Sequence, residues 1–383
     1  MKKLIYLDYA STTPIDQRVL EKMNNYFTID GIFGNSSASN YLGIKTKNEI
    51  ENARINIANI IGSKQEEIFF TSSATESINL AIKGIIYSYF TNKKKYIITS
   101  NMEHKSVLET CNFLKKLGIK IIYMTNSNTG ILDLILLDNK IINQTILVSI
   151  MHINNEIGTI NNIETIGNIC KKKNVFFHVD ATQSIGKYSL NLKKMNIDLL
   201  SFSSHKFYGP KGIGVLYVKK KSKIILTPLL HGGGQEKGLR SGTLATHQII
   251  GMSTALIIAN NEIKQEKKRI KILKKKFWNG IKNISGIYLN GNFKNSSPYI
   301  INIGFKNIFN KILMLEMKNI IISSSSACNS NKYNISHVLR ALGLKKELIQ
   351  SSIRISFGRF TTEEEIIFLI KKLHIIIKKI RQN

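Results

Sequence analysis

Lys206 lies in a short run with the chemistry of a cofactor site, Ser-Phe-Ser-Ser-His-Lys-Phe-Tyr-Gly-Pro-Lys-Gly at positions 201–212. An Asp-x-x-Gln pair, Asp180 and Gln183, precedes it by one predicted strand–helix–strand unit. A lysine that binds a cofactor as a Schiff base needs neighbours that keep its amine partly neutral. The cofactor in turn needs a carboxylate for its ring nitrogen and hydroxyl and amide groups for its phosphate. Because this stretch supplies all of them, it predicts a site for pyridoxal 5′-phosphate (PLP) with Lys206 as the attachment point.

Seven apolar, β-rich runs alternate with helical patterns between about residue 66 and residue 218, at 68–71, 96–99, 119–123, 145–150, 175–179, 199–203 and 214–218. Such alternation predicts an α/β fold, in which a mostly parallel sheet carries helices on both faces. Ligands bind beyond the carboxyl ends of the strands in such sheets. We therefore expect the polar segments that follow these strands to meet at one rim, namely 72–76, His104, Asn154 with Asn155, Asp180 and Lys206.

The pattern changes after the last of these runs. A glycine-rich segment at 231–243 precedes a long amphipathic helix that starts near Ala245, and a charged helix is predicted at 261–281. Short strands near 300–305 and 353–357 and a closing helix follow, the latter with Thr362 and Glu365 in capping-box spacing. We predict a large PLP-binding domain of residues 15–261 and a smaller α+β domain made of residues 1–14 and 262–383.

The formal net charge of +30 raises the alternative of a nucleic-acid-binding protein. The excess is spread over short lysine clusters, without a recognisable groove-reading module or aromatic RNA platform. We therefore expect solvated lysine faces and no direct nucleic-acid partner. No apolar run is long enough to span a membrane, and Asp8 comes before any signal sequence could form, so a cytoplasmic enzyme without membrane association is expected.

The sequence contexts of the three cysteines predict different roles for them. Cys111 and Cys170 lie in helical patterns and are expected to be small buried apolar residues. Cys328 lies in a polar, serine-rich segment, where a thiol can ionise and travel. No Cys-x-x-Cys pair occurs, and no metal site is predicted.

Spaced motifs along nearly the whole chain resemble those of the cysteine desulfurases, which are class V aminotransferase-like PLP enzymes of fold-type I. The resemblance is closest to the iron–sulfur-cluster type called IscS. The matching segments lie at 6–14, 71–79, 99–105, 149–158, 178–187, 201–217, 231–243, 323–328 and 352–359. The resemblance implies that the enzyme takes sulfur from L-cysteine, yielding L-alanine and a persulfide on Cys328.

The resemblance also implies how the cofactor is held. Lys206 resembles the Schiff-base lysine, Asp180 the partner of the pyridine nitrogen, and Gln183 the partner of the ring hydroxyl. His104 resembles the imidazole stacked over the ring, a plausible acid and base near neutral pH. The implied phosphate site consists of the Ala74 amide, Thr75, Ser203, His205 and, from the partner subunit of a homodimer, Thr243.

Substrate and partners follow from the same resemblance. Asn155 and Arg354 resemble the pair that binds the substrate carboxylate, since a guanidinium can form two parallel bonds to it. The Cys328 thiolate attacks the substrate sulfur and passes it to an iron–sulfur scaffold protein or to other acceptors, including those of tRNA thiolation. A cluster could be ligated transiently through Cys328. The chain ends at Asn383, so we do not expect docking through the C-terminal tail of typical bacterial relatives.

Four positions depart from the family pattern. Ser73 and Ser325 stand where glycine is usual, and Ser36 and Asn40 stand where proline and histidine are usual. Serine tolerates positive φ poorly, so Ser325 is expected to affect the Cys328 loop. The alternatives are a selenocysteine lyase or another class V enzyme such as an aminotransferase, a basic nucleic-acid-binding protein that retains an enzyme fold, and an inactive assembly partner.

Overall fold

The structure is a computed structural model that describes residues 4–91, 95–324 and 335–382. Its strands are β1 (Ile5–Tyr6), β2 (Ile68–Thr71), β3 (Tyr96–Ser100), β4 (Lys120–Met124), β5 (Thr145–Met151), β6 (Phe176–Asp180), β7 (Leu199–Ser203), β8 (Gly214–Val218), β9 (Ile287–Asn290), β10 (Ile300–Phe305), β11 (Ile320–Ile321), β12 (Ser323–Ser324) and β13 (Ser352–Ser356). Its α-helices are α1 (Gln17–Asn24), α2 (Tyr41–Ile61), α3 (Ala74–Tyr89), α4 (Lys105–Lys116), α5 (Leu134–Lys140), α6 (Ile163–Lys172), α7 (Thr246–Ile281), α8 (Asn310–Glu316), α9 (His337–Ala341), α10 (Lys346–Gln350) and α11 (Glu363–Gln382).

The central sheet has seven strands in the order β2-β8-β7-β6-β5-β3-β4. The pairs from β7 through β6, β5 and β3 to β4 are parallel, whereas β8 runs antiparallel to both β7 and β2. Two antiparallel pairings in succession give β2 the direction of β7. The carboxyl ends of β2, β3, β5, β6 and β7 therefore lie at one rim of the sheet. The predicted fold class is confirmed, and each of the seven predicted strands is present within one residue at either end.

Apolar side chains cover both faces of this sheet. One cluster joins it to α2, α6 and the first half of α7, with Phe177, Phe202 and Leu256 almost fully buried. A second cluster joins the opposite face to α3 and α4 and includes Ile82 and Leu114. Every residue of β5 is buried, as expected for a central parallel strand between two helical layers.

A second lobe contains a four-stranded antiparallel sheet, in the order β12-β13-β10-β9, and α11. The N-terminal segment joins it, because β1 pairs in parallel with β11 and Leu7 is buried in the lobe's apolar cluster. The predicted capping box of α11 is confirmed: Thr362 N donates to Glu365 Oε2, and Glu365 N donates to Thr362 Oγ1. No helix among the described residues combines the length and the apolar character needed to cross a membrane.

The prediction of two successive helices after the glycine-rich segment is wrong, because residues 246–281 form the single helix α7. No glycine or proline near residue 261 interrupts it. Its first half packs in the core of the central sheet, and its second half, with Ile270 and Phe277, packs in the second lobe. The predicted domain boundary at 261/262 falls within this helix and stays a prediction.

Arg359 links the two lobes through buried charges. From the turn after β13, its Nη1 lies 2.6 Å from Asp16 Oδ2 at the start of α1, and its Nε lies 3.1 Å from Glu266 Oε2 on α7. Its guanidinium also lies 4.2 Å from the centre of the Tyr208 ring. Hydrogen bonds hold the pKa of Asp16 well below its ordinary value, and the bond from Arg18 has a larger effect than the bond from Arg359.

Replacing Arg359 with methionine tests this link. We expect the free energy of unfolding to fall by about 3 kcal/mol, because two buried carboxylates lose their shared cation. Arg18→Met is the matched control, since Arg18 binds the same Asp16 carboxylate but is 52% exposed, and it should cost less than about 1 kcal/mol. Urea unfolding followed by circular dichroism measures both. Equal losses would contradict the role assigned to burial.

Candidate active site

A cavity of about 600 Å³ lies at the rim where the parallel strands end. It brings together most of the predicted site residues, namely Ala74, Thr75, His104, Asn155, Asp180, Gln183, Ser203, His205, Lys206 and Arg354. Thr243 is exposed and does not line this cavity. Cys328 and Ser325 lie outside the described residues. The predicted convergence of the segments that follow β2, β3, β5, β6 and β7 is thus observed.

Lys206 ends a short 3₁₀ turn directly after β7. Its Nζ donates to the carbonyl oxygens of Ala10, at 2.8 Å, and Ser11, at 2.6 Å. Burial lowers the pKa of Lys206 to about 7, and the positive charges of Lys187 and Arg354 act in the same direction. The amine is therefore partly neutral near pH 7, which is the state needed to bond to an aldehyde.

Asp180 and Gln183 lie on the neighbouring strand end. Asp180 is the last residue of β6, and its carboxylate accepts a hydrogen bond from the amide of Thr182. Gln183 follows in the same turn, where its Nε2 donates to Ala10 O at 2.8 Å and its Oε1 accepts from Lys187 Nζ at 3.2 Å. Both side chains are at least nine-tenths buried, so a ligand in the cavity would meet them largely without intervening bulk water.

The N-terminus of α3 lies at one end of the cavity. Ala74 and Thr75 are its first two residues, and the N–H groups and dipole of a helix N-terminus favour a phosphate. Ser73 caps the helix by accepting from Glu76 N at 3.2 Å. The Ser73 backbone is extended, with φ of −173°, so serine is compatible with this position. Glycine is required instead at Gly214, where a Cβ would lie 2.5 Å from the Ser73 carbonyl carbon.

Ser203 and His205 lie beside this helix end. The Ser203 hydroxyl donates to Ile213 O, and His205 Nδ1 lies 3.1 Å from Thr12 Oγ1. Burial, followed by the charge of Lys206, lowers the pKa of His205 to about 4. His205 is therefore neutral at physiological pH and can offer a phosphate a hydrogen bond without adding a charge.

His104 precedes α4 and caps it. Its Nδ1 accepts from Ser106 N at 3.1 Å and lies 2.8 Å from Ser106 Oγ. Burial lowers the pKa of His104, an effect that the Asp180 carboxylate opposes and the Lys206 ammonium reinforces. Because Nδ1 is an acceptor, the neutral ring carries its proton on Nε2.

Arg354 projects from β13 and completes the cavity wall. Its Nη2 donates to Asp8 Oδ1 and Ser11 Oγ, and its Nη1 donates to the backbone oxygen of Asn155. Its buried Nε has no hydrogen-bond partner among the described residues. A buried guanidinium with an unused N–H fits an incoming carboxylate.

Together these groups fit PLP. A partly neutral amine, a buried carboxylate and a helix N-terminus line one cavity, which matches the aldehyde, the ring nitrogen and the phosphate of this cofactor. No group of three His, Cys, Asp or Glu side chains in the described part of the chain is arranged to hold a metal ion.

Sequence reasoning missed a set of residues from the N-terminal segment. Ala10, Ser11 and Thr12 line the cavity, and two of their carbonyls accept from Lys206. Asp8 binds Arg354. The matching motif at 6–14 was the signal, but only tertiary structure shows that this segment reaches the site.

The predictions for two cysteines are confirmed. Cys111 and Cys170 are buried in α4 and α6. Burial raises the pKa of the Cys111 thiol to about 12 and raises that of Cys170 as well. Neither thiol is ionised near neutral pH, so neither is a nucleophile.

The departure at Asn40 also has a structural explanation. The side chain of this residue caps α2 by accepting from Gly43 N at 2.9 Å. Asparagine is among the best N-cap residues, so the substitution for histidine stabilises the helix start.

The chain is similar over its whole length to known proteins. The family described as Aminotransferase class-V matches residues 5–369. Cysteine desulfurase IscS of Buchnera aphidicola subsp. Acyrthosiphon pisum (strain 5A) is 52% identical over 383 residues, which are 100% of this chain and 95% of that protein. Two solved structures are also similar. A NifS-like protein has a TM-score of 0.91 and 38% identity, covering 98% of this chain and 99% of its own. SspA in complex with cysteine has a TM-score of 0.83 and 37% identity, covering 94% of this chain and 100% of its own.

The lowered pKa of Lys206 predicts a pH-dependent stability. Above its unfolded value of 10.5 the amine is neutral in both states, whereas between about 7 and 10.5 the unfolded chain binds the extra proton. Folding is therefore penalised progressively as pH falls through this window. Relative to the parent, Lys206→Met should gain roughly 3.5 kcal/mol of unfolding free energy between pH 10 and pH 7. Urea unfolding at both pH values measures this change, and a pH-independent difference would contradict it.

Proposed function

Since the chain belongs to the cysteine desulfurases of the Aminotransferase class-V family, we propose that it converts L-cysteine to L-alanine and retains the sulfur as a persulfide on Cys328. One observation carries this proposal: the partly neutral Lys206 amine, the Asp180 carboxylate and the Arg354 guanidinium line a single cavity. The similarity to SspA in complex with cysteine supports L-cysteine as the substrate.

The cofactor of this family is PLP, and we propose that the described cavity holds it. Lys206 would attach it, Asp180 would face its ring nitrogen and Gln183 its ring hydroxyl. When bound, PLP supplies an electron sink that weakens the bonds at the substrate Cα. The proposed phosphate partners are the Ala74 amide, Thr75, Ser203, His205 and, from a second copy of the chain, Thr243.

A homodimer is part of this proposal. Thr243 is exposed and does not line the cavity of its own chain, although it follows the glycine-rich loop. Arg240 in that loop pairs with Glu76 in the first turn of α3, with Nε and Oε1 2.8 Å apart. The loop is thus fixed beside the phosphate end of the site while Thr243 remains available to a neighbouring subunit.

Proton transfer falls to two side chains. The neutral form of Lys206 can take a proton from the substrate Cα, because burial keeps its pKa near 7. His104 exchanges protons with the substrate thiol through Nε2, since its Nδ1 is occupied by Ser106. The neutral form of each group is therefore available near pH 7, as a general base requires.

Arg354 and Asn155 would hold the substrate carboxylate. The bonds to Asp8, Ser11 and the Asn155 carbonyl fix the guanidinium plane before the substrate arrives. The carboxylate then gains a charge-assisted bond at little cost in ordering.

Sulfur transfer would require the Cys328 thiolate. It attacks the sulfur of L-cysteine, so that an S–S bond forms and the Cβ–S bond breaks. The electron pair of that bond stays on the carbon fragment, which is protonated and leaves as L-alanine. Ser323 pairs with Arg354 in register, and Cys328 is the fourth residue after Ser324. A chain of that length reaches about 14 Å when extended, which supports access to the site.

We propose an iron–sulfur scaffold protein and other sulfur acceptors, including those of tRNA thiolation, as the recipients of the persulfide sulfur. The support is the name of the similar IscS proteins and the full-length similarity to them. Incubating the persulfide form with purified scaffold protein and measuring sulfur transfer would test this assignment.

Cys328→Ser separates binding from sulfur transfer. We expect alanine and sulfide production to fall by at least about 100-fold, because serine is a far weaker nucleophile, while the visible absorption band of bound PLP remains. Cys111→Ser is the matched control and should retain turnover. Loss of the absorption band in Cys328→Ser would contradict a purely nucleophilic role.

Arg354→Lys tests carboxylate binding. A lysine cannot form the guanidinium bonds to Asp8, Asn155 and substrate together, so KM for L-cysteine should rise roughly 10- to 100-fold. The exposed Arg340, changed to lysine, provides the control. Steady-state alanine formation gives both constants. An unchanged KM would show that another residue binds the carboxylate.

A further inference from the structure

Lys187 is a buried lysine that the proposed reaction does not use. Only 4% of it is exposed, and it lies behind the cavity wall rather than in it. Its Nζ donates to Gln183 Oε1 and lies 5.6 Å from the centre of the Tyr299 ring. No carboxylate in the described ranges forms an ion pair with it. A buried ammonium without a paired carboxylate is costly in desolvation free energy, so we asked which contact Lys187 makes in return.

The turn that carries Lys187 packs directly on the segment that carries Lys206. Gly186 has φ of +77°, and a Cβ there would lie 2.5 Å from Phe207 Cβ. Only glycine allows this approach, which directs the following lysine into the interior. The backbone segments that carry Lys187 and Lys206 are therefore in close contact.

A continuous series of hydrogen bonds joins the two lysines. Lys187 Nζ donates to Gln183 Oε1, Gln183 Nε2 donates to Ala10 O, and Lys206 Nζ donates to the same Ala10 carbonyl. The Gln183 carboxamide is thus held at both ends, its oxygen by Lys187 and its nitrogen by the Ala10 carbonyl. The second N–H of Gln183 is then available to an acceptor in the cavity.

We propose that Lys187 is a positioning residue, which holds the Gln183 carboxamide with its amide nitrogen towards Ala10 and the cavity. The inference rests on the proposed function, in which Gln183 faces the PLP ring hydroxyl. Without Lys187, only the Ala10 carbonyl orients the amide, and a flipped carboxamide would present an oxygen to the oxygen of the ring.

The charge of Lys187 supports the same arrangement. Burial lowers the pKa of Lys187 to about 8, against the attraction of Glu266 and together with the repulsion of Arg354. It is still mostly protonated at pH 7. Its charge and that of Arg354 disfavour the protonated form of Lys206, whereas Asp180 and Asp8 favour it.

Two variants separate the hydrogen bond from the charge. Lys187→Met removes both, and Lys187→Gln retains a donor without the charge. Lys274→Met is the matched control, because Lys274 is equally buried but donates to Ser296 Oγ and Ser297 O, away from the cavity lining.

The first measurement is titration of each cofactor-free chain with PLP, followed by absorbance. Lys187→Met should weaken PLP binding roughly tenfold, the effect of losing one oriented hydrogen bond, and Lys187→Gln should weaken it less. Lys274→Met should bind as the parent does. The proposal is overturned if folded Lys187→Met binds PLP with parental affinity, or if Lys274→Met is weakened equally. If circular dichroism shows that Lys187→Met does not fold, the comparison rests on Lys187→Gln, and parental PLP affinity in that variant then overturns the proposal.

The second measurement needs neither cofactor nor turnover. Competitive acetylation of the cofactor-free chain, read by mass spectrometry, reports the neutral fraction of Lys206 across pH. At pH 7 this fraction should fall by roughly threefold in both Lys187→Met and Lys187→Gln, because a nearby positive charge is lost. An unchanged labelling profile in both variants would show that the charge of Lys187 does not act on Lys206, and it would contradict the proposed placement of Lys187. A parent chain that binds no PLP would refute the proposed function instead, while the labelling result would stand.

Discussion

The N-terminal segment covers the Lys206 amine and accepts its hydrogen bonds, and the rest of the structure depends on this interaction. The carbonyls of Ala10 and Ser11 accept from this amine, and Thr13 N donates to His205 O one residue earlier. The same segment pairs with β11 and donates from Ala10 N to Ser356 Oγ. A stretch that belongs to the second lobe by its packing thus forms the roof of a site built on the central sheet.

Buried charges join the parts that must meet at this site. Arg354 binds Asp8, Arg359 binds Asp16 and Glu266, and each of these pairs connects residues distant in sequence. Such pairs contribute little net stability, but removing one partner is costly, so they favour a single arrangement of the lobes. The planar guanidinium suits this role because it bonds in several fixed directions at once.

The glycine-rich loop is held by a similar pair. Arg54 binds both oxygens of Glu236, at 2.7 and 2.8 Å, and Glu236 also accepts from Phe70 N on β2. Glu236 has φ of +48°, a conformation that non-glycine residues adopt only when their surroundings enforce it. The loop that leads to Thr243 is therefore fixed by contacts made within its own chain.

The strands and the order of the site residues could be read from the sequence, because both depend on local patterns. Apolar runs bounded by turn residues define β2 to β8, and parallel strands place the residues that follow them at one rim. Ser73 shows the limit of such reading: it stands where glycine is usual in the family, but only the structure shows that the backbone there is extended and that the hydroxyl caps α3.

Sequence by itself determined the fold class and the strands of the central sheet, and it singled out Lys206, Asp180, His104 and Arg354 as candidate site residues, which line one cavity in the structure. Tertiary structure alone decided that α7 is one helix shared by two cores, that residues 10–12 roof the cavity, and that Lys187 lies behind Gln183. The reason is physical. Periodicity and turn chemistry act over a few residues, whereas burial, pKa shifts and buried ion pairs arise only when distant segments pack together.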